Sequence, residues 1–201
     1  MRRVASDPIP DDVVRSMLDA AVRAPSGSNA QSWRWLVVND RETMAALGDM
    51  YREAWQTLNE TVYAGADRTS DPQMRRVVSS AQWLADNFQH VPLVVMPFHR
   101  NDPSGASIYP AVWSLMLAAR GHGVGTTLTT VLGTFKDKEV GELLGVPPGK
   151  GWTNAAAITC GYPLGRWGLA TRRPAHEVVF HDRWDGAPPW TIPEPLWDDA
   201  S

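Results

Sequence analysis

The chain's pattern predicts a mixed helix-and-strand domain, α+β or α/β, and three observations carry the prediction. Segments with apolar residues at helical spacing alternate with short β-branched or continuously apolar runs. The 201 residues, 43% apolar and 20% charged, suffice for one sizeable core and hence one domain, 1–201. No internal repeat or low-complexity block breaks the alternation. Spacing alone does not choose between a doubly wound sheet and a sandwich.

The elements follow in order. Pro8-Ile9-Pro10-Asp11-Asp12 opens a helix, with Asp11 or Asp12 as its cap and both favoured by the helix dipole. Val13, Val14, Met17, Leu18, Ala21 and Val22 form its apolar stripe, and Pro25 ends it. Trp33–Val38 reads as a strand. Asn39-Asp40 then caps a helix through Met44, Leu47, Tyr51, Trp55 and Leu58. Residues 59–73, polar with Gly and Pro, predict a mobile loop or lid. Arg75–Phe88 is helical and Val91–Phe98 is a strand. Ile108–Arg120 is apolar all round, as a buried central helix would be, and Gly121, Gly123 and Gly125 end it. Thr126–Val131 is β-branched and strand-like. Lys136–Leu144 predicts a short amphipathic helix and Ala155–Tyr162 the last strand. From Pro163 to Ser201 the chain is rich in Pro, Trp and Arg with little periodicity, an extended tail that wraps its own domain or a partner.

Composition narrows the function. A formal charge of −3 gives no electrostatic reason to expect nucleic acid or an anionic membrane as partner. No run approaches the ~20 apolar residues of a membrane span. Met1-Arg2-Arg3 leads to Asp7-Pro8 without an apolar stretch, so no leader peptide is expected. The single cysteine, Cys160, excludes an intramolecular disulfide and a cysteine metal cluster, suits a cytoplasmic location, and sits in an apolar run as an inert thiol would. The five histidines lack metal-ligand spacing, so no metal is expected. There is no strand-borne G-x-G-x-x-G, no phosphate-binding G-x-x-x-x-G-K and no G-x-S-x-G nucleophile elbow. Ten tryptophans are read chiefly as core and interface residues.

The segment most suited to chemistry is Ala24-Pro25-Ser26-Gly27-Ser28-Asn29-Ala30-Gln31-Ser32-Trp33-Arg34. Its small polar residues, between a helix and a strand, let backbone approach a flat polar ligand closely. The segment resembles the P-S-x-x-N-x-Q-x-W motif of the FMN-dependent nitroreductase family, with Ser32 where a proline is common. The resemblance extends along the chain. Met1-Arg2-Arg3-Val4 with Asp7-Pro8-Ile9-Pro10 is similar to that family's N-terminal arginine motif, whose leading Arg and Ser would precede Met1. Tyr109-Pro110-Ala111-Val112-Trp113 matches a subgroup's central helix, and Gly121–Gly125 its glycine-rich end. Gly161-Tyr162-Pro163 and Ala170-Thr171-Arg172-Arg173-Pro174 match the C-terminal motif.

That resemblance implies an α+β fold, a three-layer α-β-α sandwich with a mostly antiparallel sheet and a long buried central helix. It implies FMN at a homodimer interface. Arg2, Arg3, Arg172 and Arg173 become candidates for the FMN phosphate, the charge-assisted pairing natural to guanidinium. Pro25, Ser26, Gly27 and Asn29 would run along the edge of a flavin held mainly by the partner. Leu128 would pack on the ring, and Thr129, Thr130 and Val131 would stand beside flavin N5, with a backbone N–H of Thr130 or Val131 as its donor. The implied activity is ping-pong hydride transfer from NADH or NADPH to an electron-poor small molecule such as a nitroaromatic or quinone, without a protein acid or base. The alternatives are a flavin-sequestering protein of the same fold, a flavin-fragmenting or dehalogenating enzyme, and a non-enzymatic dimeric interaction module.

Overall fold

The computed structural model describes residues 1–65, 70–168 and 172–192, in two compact units, Met1–Gly165 and Arg166–Ser201. The larger unit is built on an antiparallel sheet. Its strands are β1 (Trp33–Val38), β2 (Leu93–His99), β3 (Gly125–Thr129), β4 (Thr153–Asn154) and β5 (Ala157–Gly161), ordered β1-β2-β5-β3 with β4 also paired to β2.

β2 is buried on both faces and reads accordingly as a continuous apolar run. Its side chains alternate between two cores. Leu93 and Val95 face one, with Trp33, Ile158 and Cys160, against α1 (Asp11–Val22) and α4 (Ile108–Gly121). Val94, Met96 and Phe98 face the other. There they meet α2 (Arg41–Thr61), α3 (Pro72–Asn87), α5 (Val131–Phe135) and α6 (Asp137–Leu143) through Met44, Leu47, Tyr51, Leu84, Leu132 and Val140. Helices on both faces of an antiparallel sheet make the three-layer sandwich that the resemblance implied.

Four boundaries differ from the sequence reading. Pro10, not Asp11 or Asp12, is the N-cap of α1, and no side chain caps it; both aspartates occupy the first turn. By contrast Asp40 caps α2 as expected, its carboxylate accepting from Thr43 N at 2.9 Å and Thr43 Oγ1 at 2.7 Å, which holds its pKa below the usual range. The expected loop at 59–73 is shorter, because α2 runs on to Thr61 and Asp71 caps α3 with Pro72 at its first position; residues 66–69 lie outside the described residues. The expected strand 155–162 is shortened to β5, and a separate short β4 precedes it; the break falls opposite Pro97 of β2, which has no N–H to donate across the gap, while its carbonyl accepts from Ala155 N at 2.9 Å. Finally, β3 stops at Thr129. Thr130 (φ −100°, ψ 0°) leaves the strand and Val131 begins α5, so Thr130 and Val131 are a turn into a short helix.

α4 buries Ile108, Ala111, Val112, Leu115 and Ala119 and presents Tyr109, Trp113 and Leu117, 41%, 59% and 52% exposed, as one stripe at four-residue spacing. Cys160 is fully buried, and burial pushes its thiol up to about 12. At pH 8 the native protein should therefore take no iodoacetamide label, whereas the denatured chain reacts; rapid native labelling would contradict this burial.

The smaller unit is held by local contacts. His181 N donates to Gly186 O at 2.8 Å, Ile192 N to His176 Nδ1 at 3.0 Å, and the Phe180 and Trp184 rings lie 4.9 Å apart. The last part of the expected tail, 193–201, lies outside the described residues. No helix among the described residues is long and apolar enough to cross a membrane.

Candidate functional site

The N-terminal residues are fastened beside β3 and β5. Val4 bridges to Pro163, Ala5 N donates to Tyr162 O at 2.8 Å and Leu164 N to Arg3 O at 3.1 Å. Two glycines permit this approach: a Cβ at Gly161 would lie 2.7 Å from Val4 Cβ, and one at Gly125 would lie 3.0 Å from Met1 Cβ. The Met1 ammonium donates to Thr126 O at 2.7 Å, and its partial burial lowers its pKa. Arg2 Nη1 reaches Ser80 Oγ on α3 at 3.2 Å, and the Arg3 guanidinium lies 5.7 Å over the Trp83 ring. Among the described residues the partners of these arginines are a hydroxyl and an indole rather than a carboxylate, which leaves their charge available to an anion.

The end of β3 lies on the same side of the sheet. Thr127 and Thr129 are buried, and the Thr129 hydroxyl is 3.2 Å from that of Tyr51. Burial raises the Tyr51 pKa, against the opposing effects of that hydrogen bond and of the Arg2 charge. Thr127 Oγ1 is buried without a partner among the described residues. Val131 N donates to Thr129 Oγ1 at 3.4 Å, while the exposed Thr130 makes no such bond through its N–H with the described residues. Of the two amides nominated from the sequence, the structure leaves Thr130's open and engages Val131's. Leu128 points the other way and packs against the α1–α4 core, so it is not brought together with Arg2, Thr127 and Thr129.

A second group forms around the loop before β1. Ser28, Asn29 and Gln31 all have left-handed backbone (φ 52°, 53° and 48°), and Asn101 across from them has φ 56°. Non-glycine residues adopt this conformation infrequently, Asn more readily than Ser or Gln, and such backbone clusters at ligand-contacting loops. Ser26 Oγ accepts from Gln31 N at 3.1 Å, Asn29 Oδ1 from Gln31 Nε2 at 3.1 Å, and Ser107 Oγ from Gly27 N at 3.2 Å. Asp102 Oδ2 accepts from Ser107 N and Ile108 N and fixes the start of α4. Between the loop and this turn lies a cavity of about 450 Å³, lined by Pro25, Ser26, Gly27, His99 and Ser107 among others.

The start of β1 and the end of β3 lie at one end of the sheet with β2 and β5 between them. Three strand spacings put them roughly 14 Å apart. The two groups of residues are therefore separate within one chain. Arg172 and Arg173 are exposed in the smaller unit, and Ala170 and Thr171 of their motif lie outside the described residues. Tyr51, Ser80 and Asp102 were not nominated from the sequence. Tyr51 read there only as an apolar-stripe residue, and no spacing signal linked Ser80 to Arg2.

Residues 1–162 match the family model described as the nitroreductase family, and the chain belongs to that family. Among curated relatives, the NADH dehydrogenase of Thermus thermophilus is 28% identical over 191 residues, 90% of this chain and 90% of that protein. The 5,6-dimethylbenzimidazole synthase of Rhodospirillum rubrum is 27% identical over 201 residues, covering 89% of this chain and 88% of the relative. Among solved structures, oxidized iodotyrosine deiodinase bound to FMN and 3-iodo-L-tyrosine shares the fold with a TM-score of 0.69 at 22% identity, over 91% of this chain and 93% of that one. The matched family segment ends before Arg172 and Arg173.

Proposed function

We propose that the chain is an FMN-dependent oxidoreductase that works as a homodimer and passes electrons from NADH or NADPH to a small electron-poor acceptor. The observation that carries this reading is the end of β3. There an open Thr130 amide follows a strand that carries buried threonine hydroxyls, and Arg2, held by Ser80 on the same face of the sheet, has no carboxylate partner among the described residues. The residues present fit FMN on two counts: the unpartnered Thr127 Oγ1 is a polar atom in want of a partner, and Arg2 offers a cation to a phosphate or a ring carbonyl.

FMN, when bound, supplies the hydride-accepting N5 centre and its onward donation, so the protein needs no catalytic acid or base. The chain's own residues hold and exclude. Arg2, with Arg3, Arg172 and Arg173, would bind the phosphate end, and the Thr130 N–H would donate to N5. Pro25, Ser26, Gly27 and Asn29 would cover the flavin of the partner subunit, which the separation of the two groups supports. The exposed stripe Tyr109, Trp113 and Leu117 supplies an apolar surface for that dimer.

Arg172→Ala should weaken FMN by about tenfold to a hundredfold, the loss of roughly 1.5–3 kcal/mol of charge-assisted hydrogen bonding, while riboflavin binding stays unchanged. Calorimetric titration with both ligands checks it, and equal FMN affinity in mutant and wild type would remove Arg172 from the site.

A second reading keeps FMN and changes the chemistry at the acceptor. It is supported by the relatives named for dimethylbenzimidazole synthesis and for deiodination. Steady-state NAD(P)H consumption with a quinone separates the readings: turnover supports a general reductase, and its absence in a yellow protein supports a specialised or flavin-sequestering one.

A further inference from the structure

We infer that Tyr51 and Thr129 are positioning residues for the strand end, and that together they decide which main-chain amide is left for the ligand. The inference rests on the reading above, and its first test does not. Thr129 is the last residue of β3, and its Oγ1 accepts from Val131 N two residues on. This bond turns the chain out of the strand, takes up the Val131 donor and leaves Thr130 at φ −100°, ψ 0° with its N–H unengaged by the described residues. A side chain closing on a nearby amide in this way competes with continuation of the ladder.

Tyr51 holds the Thr129 hydroxyl from across the core. It lies 78 residues away in sequence, its hydroxyl is 3.2 Å from Thr129 Oγ1, and it is 2% exposed. Its ring stacks on Phe88 with centroids 4.6 Å apart, so the phenol is fixed by α2 and by the turn after α3. Thr129 χ1 is then set by two contacts, one to each side of its hydroxyl. The arrangement links Arg2, whose charge is felt at the Tyr51 hydroxyl, to the amide pair at 130 and 131. Neither residue touches the ligand in this account. Each acts through the backbone it holds.

The test uses Thr129→Val, Thr129→Ser and Tyr51→Phe, first checked for native circular dichroism. In the protein without added FMN, amide hydrogen exchange at Val131 should quicken about fivefold in Thr129→Val and less in Tyr51→Phe, and stay as wild type in Thr129→Ser, a net hydrogen bond being about 1 kcal/mol. On FMN addition, the Thr130 amide resonance should shift in wild type and Thr129→Ser. In Thr129→Val its shift should be smaller and the reduction potential of the bound flavin more negative. Unchanged Val131 exchange in both Thr129→Val and Tyr51→Phe would overturn the inference. So would normal FMN binding with an unmoved potential in those two variants. Failure of wild type to bind FMN would instead count against the proposed function, while the exchange measurement still decides whether Thr129 and Tyr51 set the amides.

Discussion

Trp113→Glu combined with Leu117→Glu is expected to turn the protein into a monomer and to abolish tight FMN binding. Trp113 and Leu117 are the most exposed apolar side chains of α4, whose opposite face is buried through Ile108, Ala111, Val112, Leu115 and Ala119. Covering such side chains is worth about 1.5–3 kcal/mol each, and truncating or charging interface anchors commonly costs more than about 2 kcal/mol apiece. The Pro25–Asn29 loop and the β3 end have two strands between them within one chain, and in the proposed assembly each flavin is lined by the loop of one copy and the β3 end of the other. Loss of the dimer should then remove one wall of each site and reduce FMN affinity by about a hundredfold or more. Light scattering and flavin titration on the same sample check both halves. A wild-type protein that is monomeric at micromolar concentration and binds FMN normally is incompatible with this assembly.

The other large effect is expected at Thr130. Thr130→Ala keeps the main-chain donor and should hold activity within a few-fold. Thr130→Pro removes that donor at a position where the preceding Thr129 is already extended, and it asks φ to move only from −100° towards about −65°. Deleting a preorganised donor to developing charge costs about 10²–10³ in rate, so stopped-flow reduction by NAD(P)H should slow by that order while FMN affinity falls much less. Val131→Pro is the comparison. It suits the first position of α5 and removes an amide already engaged by Thr129, though it also biases Thr130 away from ψ near 0°. Normal reduction in both proline variants would take this segment out of the mechanism. A large loss in Thr130→Ala would point to its hydroxyl.

Much of the fold was legible because its signals are local. Trp33–Val38 and the Asp40 cap needed only a β-branched run and a capping residue, and the alternation along β2 follows from burial on both faces. The errors fall where a distant partner decides. Thr130 and Val131 have strand-like side chains, and what ends β3 is a hydroxyl bond from Thr129 that Tyr51 supports from 78 residues away. A short helix follows in which a Cβ at Gly133 would meet Asn154 O at 2.5 Å, a contact that spacing cannot foresee. Likewise Ala155–Tyr162 reads as one strand from its side chains, and Pro97 set opposite its start shortens it to Ala157–Gly161. Of the site, Arg2 and the Pro25–Asn29 loop were reached through family resemblance, not periodicity. The left-handed backbone at Ser28, Asn29 and Gln31 supplies a physical reason why that loop carries small and amide side chains.

In the proposed function this chain binds FMN and moves electrons through it. The most direct measurement is the visible absorption spectrum of the purified protein, before and after dialysis against FMN and then on anaerobic addition of NADH or NADPH. The protein should be yellow with a flavin band, one FMN per chain, bleached by reduced nicotinamide and restored by a quinone. A colourless protein that takes up no FMN would contradict it and favour a dimeric module without catalysis.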